Sequence, residues 1–300
     1  MRGHRAVSLA GLVGLVGVLP FALCSAPIRP PVHHRANTMA MTSVVRELYS
    51  PSDVRALPDV TADVPVVTDA VHGPDCLVLR CVALTFDDGP GPDTMRLLGI
   101  LAEKNVRATF FLIGQSVADF PDQVRAELAQ GEEVGDHTWS HPALTHLDDA
   151  SVAEQFNRTA DAIAGADGRR PTLFRPPYGA VDARVDSVIG AAGAPLILWS
   201  VDTADWLHRD PDSVYDRAIS GVAPGAIILM HDVHPTTVDA VARIIDELKD
   251  RGYTMVTVSQ LFGGTLQPGK TYFGREREWA DAHRAPAAEP TPSAPPALLE

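Results

Sequence analysis

Short apolar runs alternate with longer amphipathic stretches through the middle of the chain. The runs 81–86 (CVALTF), 107–112 (RATFFL), 132–136, 172–175, 195–200 (PLILWS), 226–231 (AIILMH) and 254–258 (TMVTV) have the length and content of buried strands. Between them, 93–104, 120–130, 149–165, 182–192, 211–220 and 237–251 carry apolar residues at helical spacing. Gly131, Gly193 and Gly252 stand where three of these helices should stop. Repeated strand–helix units predict an α/β fold with a mostly parallel sheet. About seven such strands predict a (β/α) barrel, closed like the eight-fold one or incomplete. In such barrels the chemistry gathers where strands end and loops begin.

The flanks break this pattern. Arg2, His4 and Arg5 precede an uncharged stretch from Ala6 to Cys24, followed by the small residues Ser25 and Ala26. A basic start, an apolar middle and small residues predict a signal peptide over 1–26. The run is about long enough to span a bilayer, so an uncleaved anchor is the alternative. Phe21-Ala22-Leu23-Cys24 is a poor lipoprotein signal. Residues 27–75, rich in Pro, Val and Asp, predict a linker or irregular N-terminal segment. Residues 76–275 form the expected catalytic domain, and 276–300 the expected Ala/Pro-rich disordered tail.

The 300 residues carry 25 Lys+Arg against 38 Asp+Glu, a formal charge of −13. That balance argues against a nucleic-acid binder, which would show a basic face. It also argues weakly against docking on anionic membranes. The 3 cysteines are too few for a disulfide scaffold or a Cys-based zinc site. If 77–80 form a hairpin loop, Cys76 and Cys81 lie opposite each other within disulfide range. Export favours the disulfide over two buried thiols.

The strand ends concentrate polar residues. The first run ends in Thr85-Phe86-Asp87-Asp88-Gly89-Pro90, where adjacent carboxylates repel unless a cation or proton intervenes. The third leads into His137-Thr138-Trp139-Ser140-His141, two imidazoles four residues apart, on one helical turn or converging from a tight loop. With Asp88 they make a His-His-Asp set that leaves coordination positions open, as a catalytic metal site requires. The fourth ends in Arg175-Pro176-Pro177-Tyr178-Gly179, an Arg able to orient a carboxylate beside backbone N–H groups able to face an oxyanion. The sixth ends in His231-Asp232, an imidazole placed as a general acid. His33, His34, His72, His146, His208 and His234 have no such placement and are expected at the surface.

The ordered set TFDDGP, HTWSH, RPPYG, DTADW and LMH resembles the polysaccharide deacetylases of carbohydrate esterase family 4, the NodB-homology domain. The resemblance covers about 200 residues, from near Cys76 to near Phe273. It implies a distorted (β/α) barrel, a divalent metal and removal of acetyl groups from polysaccharides. It further implies Asp88, His137 and His141 as metal ligands, Asp87 as general base and Arg175 as the residue holding that base. Tyr178 resembles the backbone donor to the oxyanion and His231 the general acid. Asp205 resembles the partner of that acid, with Asp202 a second candidate, and Trp206 and Leu229 resemble the walls of the acetyl pocket.

The expected protein is therefore an exported, metal-dependent hydrolase. It is expected to act on N-acetylglucosamine in peptidoglycan or chitin oligosaccharides, with acetylated xylan a further substrate. Zn2+ is the expected cofactor, with Co2+ as substitute. Neither nucleic acid nor, after signal cleavage, a membrane is an expected partner, and a monomer is favoured. The rivals are an amidohydrolase acting on a small non-sugar amide and a carbohydrate-binding protein without catalysis.

Overall fold

The computed structural model describes residues 73–283. The expected signal peptide, nearly all of the 27–75 segment and the tail beyond 283 lie outside the described residues.

The first strand, β1 (Cys81–Asp87), is buried along its whole length. Its alternation builds two cores. Val82, Leu84 and Phe86 pack with helices α1 (Thr94–Lys104), α3 (Pro121–Gln130), α7 (Pro211–Gly221) and α8 (Pro235–Asp250). Cys81 and Ala83 turn to the opposite face, against Phe111, Ile197 and Ile227. A strand covered on both faces has to be apolar without interruption, which is what CVALTF supplies. Asp87 follows Ala83 and Thr85 on that second face, so the period of two delivers a carboxylate to the inner side of the sheet.

Parallel pairing runs outward from β1. On one side lies β6 (Ile227–His231), with Asp87 opposite His231. On the other, β7 (Thr254–Val256) pairs with the first half of β1 and β2 (Thr109–Leu112) with the second. The sheet continues to β3 (Glu133–Asp136) beyond β2 and to β5 (Val201–Asp202) beyond β6. A separate parallel pair, β4 (Leu196–Ile197) with β8 (Thr271–Tyr272), joins through Phe174, which bridges to both Asp136 and Leu196. Among the described residues, eight short parallel strands thus make an α/β fold of the expected kind, but the ladder is not a continuous closed ring.

Two differences from the sequence pattern have local causes. Residues 172–175 form only the bridges at Phe174, because Pro171, Pro176 and Pro177 around the run have no N–H to give a ladder. The run 195–200 holds only β4, and β5 starts just past its end, because the chain changes partner between them: the Leu198 N–H bonds Tyr272 C=O, and the Ser200 N–H bonds Ile227 C=O.

The long helices fall where periodicity places them. Asp148 caps α4 (Asp149–Asp167) by accepting the Ser151 N–H at 2.7 Å, and Asp182 caps α5 (Ala183–Ala191) through the Val185 N–H at 2.8 Å. Gly131, Gly193 and Gly252 all hold positive φ at or just past helix ends, as expected. Four short helices were not legible: α2 (Gly114–Asp119), α6 (Asp205–His208), α9 (Val258–Leu261) and α10 (Glu276–Ala282). The last lies inside the segment expected to be a disordered tail. Cys76 and Cys81 are disulfide-bonded, with Cα atoms 5.3 Å apart, across a turn rather than a two-stranded hairpin. Among the described residues, no helix is long and apolar enough to cross a membrane.

Candidate active site

Where β1, β3 and β6 end, their inward-facing positions bring Asp87, His137 and His231 to one cavity. Its volume is about 340 Å³, and Asp88, His141, Tyr178, Trp199, Asp202, Trp206 and Leu229 complete its lining. All residues expected to touch substrate or metal are therefore together. Arg175 and Asp205 stand behind them.

Asp88, His137 and His141 converge. The Asp88 Oδ1 atom lies 3.6 Å from His137 Nε2 and 3.5 Å from His141 Nε2. The histidines meet from a tight loop, not a helical turn: Thr138 and His141 both have positive φ, as does Asp88. The Asp136 carboxylate accepts the Thr138 N–H at 2.8 Å, and Thr138 Oγ1 accepts the His141 N–H at 3.0 Å. Such local bonds let non-glycine residues hold a left-handed backbone. His137 Nδ1 contacts the Arg175 carbonyl at 2.6 Å, which makes Nδ1–H the donor and leaves the Nε2 lone pair facing Asp88. Burial lowers the His137 pKa to about 3, so the ring is neutral, as a ligand must be.

These atoms fit a divalent cation. Asp88 Oδ1 is buried and has no hydrogen-bond partner. One ligand atom each from Asp88, His137 and His141 lie within 4.8 Å of one another. An orphaned carboxylate oxygen beside two imidazole nitrogens is costly without a cation and natural with one.

Asp87 is held from one side only. Arg175, fully buried, donates from Nη1 to Asp87 Oδ1 at 2.7 Å and to Thr85 Oγ1 at 2.8 Å. Its Nε and Nη2 donate to the carbonyls of Ile197 and Leu198. The guanidinium lies 4.1 Å from the Phe111 ring centroid. A planar fork with every arm engaged is a rigid support. The other oxygen, Asp87 Oδ2, stays 3.7 Å from His137 Nε2. Burial pushes the Asp87 carboxyl up, opposed by the charges of Arg175 and His231.

His231 is paired from behind. Asp205, at the start of α6, meets His231 Nδ1 at 2.8 Å and accepts its backbone N–H at 2.7 Å. Thr237 donates to Asp205 Oδ2, and the Trp206 N–H donates to Oδ1. Burial works against charge on His231, but the hydrogen bond and charge of Asp205, with Asp87 and Asp88, raise its pKa to about 9. His231 Nε2 faces the cavity, 4.0 Å from Asp88 Oδ2. Asp202, the second candidate for this partnership, is exposed and instead accepts the Ala204 N–H.

Tyr178 has φ 61° and ψ 7° and presents an exposed ring edge-on to His141, with centroids 4.6 Å apart. Trp206 is exposed at the rim, and Leu229 is buried in the wall. His234, expected to be an unrelated surface residue, stands beside the site, its ring centroid 5.7 Å from that of His231.

Sequence reasoning missed the residues that hold the ligand loops. The first N–H groups around α2 donate to them: Ile113 to Gly89 C=O at 3.0 Å, Gly114 to Thr138 C=O at 3.0 Å and Gln115 to Trp139 C=O at 3.1 Å. Asp232, the carboxylate next to His231 in sequence, turns instead to the Thr94 hydroxyl, and Asp205 takes the imidazole; Thr94 was missed. Only the Asp-Asp-Gly-Pro and His-Thr-Trp-Ser-His turns signalled that their carbonyls need donors.

Residues 77–197 match the family described as polysaccharide deacetylase. The peptidoglycan-N-acetylglucosamine deacetylase PgdA of Listeria monocytogenes is 39% identical over 259 residues, covering 86% of this chain and 52% of that protein. This chain thus spans about half the length of that relative. A chitooligosaccharide deacetylase of Rhizobium leguminosarum bv. trifolii is 37% identical, covering 60% of this chain and 91% of that protein. A solved family 4 carbohydrate esterase from Streptomyces lividans, in complex with acetate, is 39% identical with a TM-score of 0.59, covering 63% of this chain and 97% of that one. Identity at this level across nearly the whole of the chitooligosaccharide deacetylase and of the Streptomyces esterase, with the site residues gathered at one sheet edge, places the chain in the polysaccharide deacetylase family.

Proposed function

We propose that the chain is an exported, metal-dependent deacetylase of N-acetylated polysaccharide, with residues 76–275 as its catalytic domain. One observation carries this reading. Asp88, His137 and His141 converge on one point, with Asp87 against His137 and His231 against the other oxygen of Asp88.

Asp88, His137 and His141 would hold the cation, Zn2+ by the chemistry of the donor set, with Co2+ as substitute. Bound there, it would supply a Lewis acid that lowers the pKa of water and polarises the acyl carbonyl. The chain's own groups divide the remaining work. Asp87 accepts a proton at Oδ2, because Arg175 occupies Oδ1. His231 donates a proton from Nε2 to the departing amine, while Asp205 keeps Nδ1 engaged. The Tyr178 N–H stabilises charge on the carbonyl oxygen. Leu229 and Trp206 wall the acetyl group, and exposed Trp206 and Tyr178 offer ring faces to neighbouring sugars.

N-acetylglucosamine in peptidoglycan is the first substrate and chitin oligosaccharide the second, supported by the names of the relatives. Both Asp87 and His231 are in place, which counts against a binding protein without catalysis. The Cys76–Cys81 disulfide supports an oxidising, exported setting.

The test is acetate release from peptidoglycan, chitooligosaccharide and acetylated xylan side by side. Release should stop with chelator and return with Zn2+ or Co2+. Asp87→Asn should lower turnover by about 10²-fold or more while retaining the metal. Full activity in Asp87→Asn overturns the assignment of the base, and no acetate from any of the three overturns the deacetylase reading.

A further inference from the structure

The loop carrying Asp88 leaves β1 with φ 73° and ends at Thr94, the first residue of α1. One flank is held by the Ile113 N–H on Gly89 C=O. The other flank meets Asp232, fully buried and next in sequence to His231. The Thr94 hydroxyl donates to Asp232 Oδ2, and Thr94 Oγ1 accepts the Gly91 N–H at 2.8 Å. A hydroxyl has one hydrogen, so these two bonds fix its direction: Gly91 donates to Thr94, and Thr94 donates to Asp232.

The loop lies directly on this support. A Cβ added to Gly89 would stand 2.6 Å from Asp232 Oδ1, and one added to Gly91 would stand 3.0 Å from Val233 Cγ1. Neither Thr94 nor Asp232 lines the cavity. Both join its two halves, since Asp88 belongs to one end of the brace and His231 to the other.

We propose that Asp232 and Thr94 are positioning residues, a buried brace that holds the Asp88 loop against the strand end bearing His231. The brace fixes the carboxylate facing the cation relative to the proton donor, whose nearest atoms are 4.0 Å apart. This rests on the metal-dependent reading of the site. Removing the hydroxyl while keeping the bulk of Thr94 frees the Gly91 N–H and strands a buried carboxyl group. The loop then relaxes and the coordination geometry with it.

The experiment uses the full chain and four variants: Thr94→Val, Thr94→Ser, Asp232→Asn and Asp232→Ala. Zn2+ affinity is measured by competition with a chromophoric chelator, coordination geometry by the visible spectrum of the Co2+ form, and stability by melting of the metal-free protein. Thr94→Val should bind Zn2+ about 10-fold more weakly and alter the Co2+ spectrum. Thr94→Ser and Asp232→Asn, which keep a donor and an acceptor respectively, should restore both readouts. Asp232→Ala can fail to fold, so Thr94→Val decides. A Thr94→Val protein that melts lower yet binds Zn2+ with unchanged affinity and Co2+ spectrum overturns the brace and leaves the metal site standing. A wild-type chain that takes up no Zn2+ overturns both.

Discussion

Two carboxylates at this site serve opposite electrostatic ends. Asp87 is buried and pushed toward its neutral form, with Arg175 supplying the opposing pull. Burial raises the Asp205 carboxyl, but its bonds from His231 and Thr237 and the charge of His231 outweigh that and hold it below the usual range. The consequence falls on His231, whose pKa rises to about 9. A proton donor must be protonated before it acts, and a raised pKa keeps it so at lower pH and loses it as pH climbs through that value. Asp205→Asn removes the charge and leaves a neutral partner. The alkaline limb of kcat/KM should then move down toward the ordinary histidine value of about 6.5, with a lower maximum. A pH–rate profile checks this. An alkaline limb that stays in place shows that His231 is not the titrating donor.

Strands and helices contribute differently to the same constellation. The inward series Ala83-Thr85-Asp87 on β1 and Ile227-Leu229-His231 on β6 each run from core to chemistry in steps of two, and the paired register sets Asp87 opposite His231. That much was legible, because a strand's period is written in its residues. Arg175 and the His-x-x-x-His loop were likewise visible as polar residues ending apolar runs, whereas Asp205 stood out only through the resemblance to the family. The supports were not. The Thr94–Asp232 bond spans 138 positions, and no local pattern records it. The helix α2 has six residues, too few to show a period of 3.6. Its importance lies in its first N–H groups, which bond the carbonyls of both ligand loops. Gly114 lets it approach: an added Cβ would press into the Trp139 ring and stand 2.7 Å from Thr159 Oγ1. Gly114→Ala should therefore cost about 1–3 kcal/mol of stability by overpacking. It should also weaken Zn2+ binding, since α2 cannot retreat without releasing Gly89, Thr138 and Trp139. Denaturant unfolding of the metal-free protein and chelator competition read the two effects. A loss of stability with full metal affinity would show that α2 does not tie the loops.

The described domain separates stability from chemistry along its strands. Cys76 and Cys81 brace the start of β1, while Asp87 ends the same strand six residues on, roughly 20 Å away at the rise of a β-strand. Closing so short a loop is worth about 2 kcal/mol by the chain-entropy account. The strand start does not depend on the disulfide alone. The Cys81 carbonyl accepts the Gly225 N–H, the Arg80 carbonyl accepts the Thr254 N–H, and Cys81 pairs in register with Thr254. Without the covalent link these bonds keep β1 in place, so the loosened turn has no route to the ligand loops at the far end. The double variant Cys76→Ser/Cys81→Ser should unfold at lower denaturant, by about 2 kcal/mol, with Zn2+ affinity and kcat/KM unchanged. Equal losses of stability and metal affinity would mean that β1 transmits strain along its length, and that its two ends are one cooperative unit.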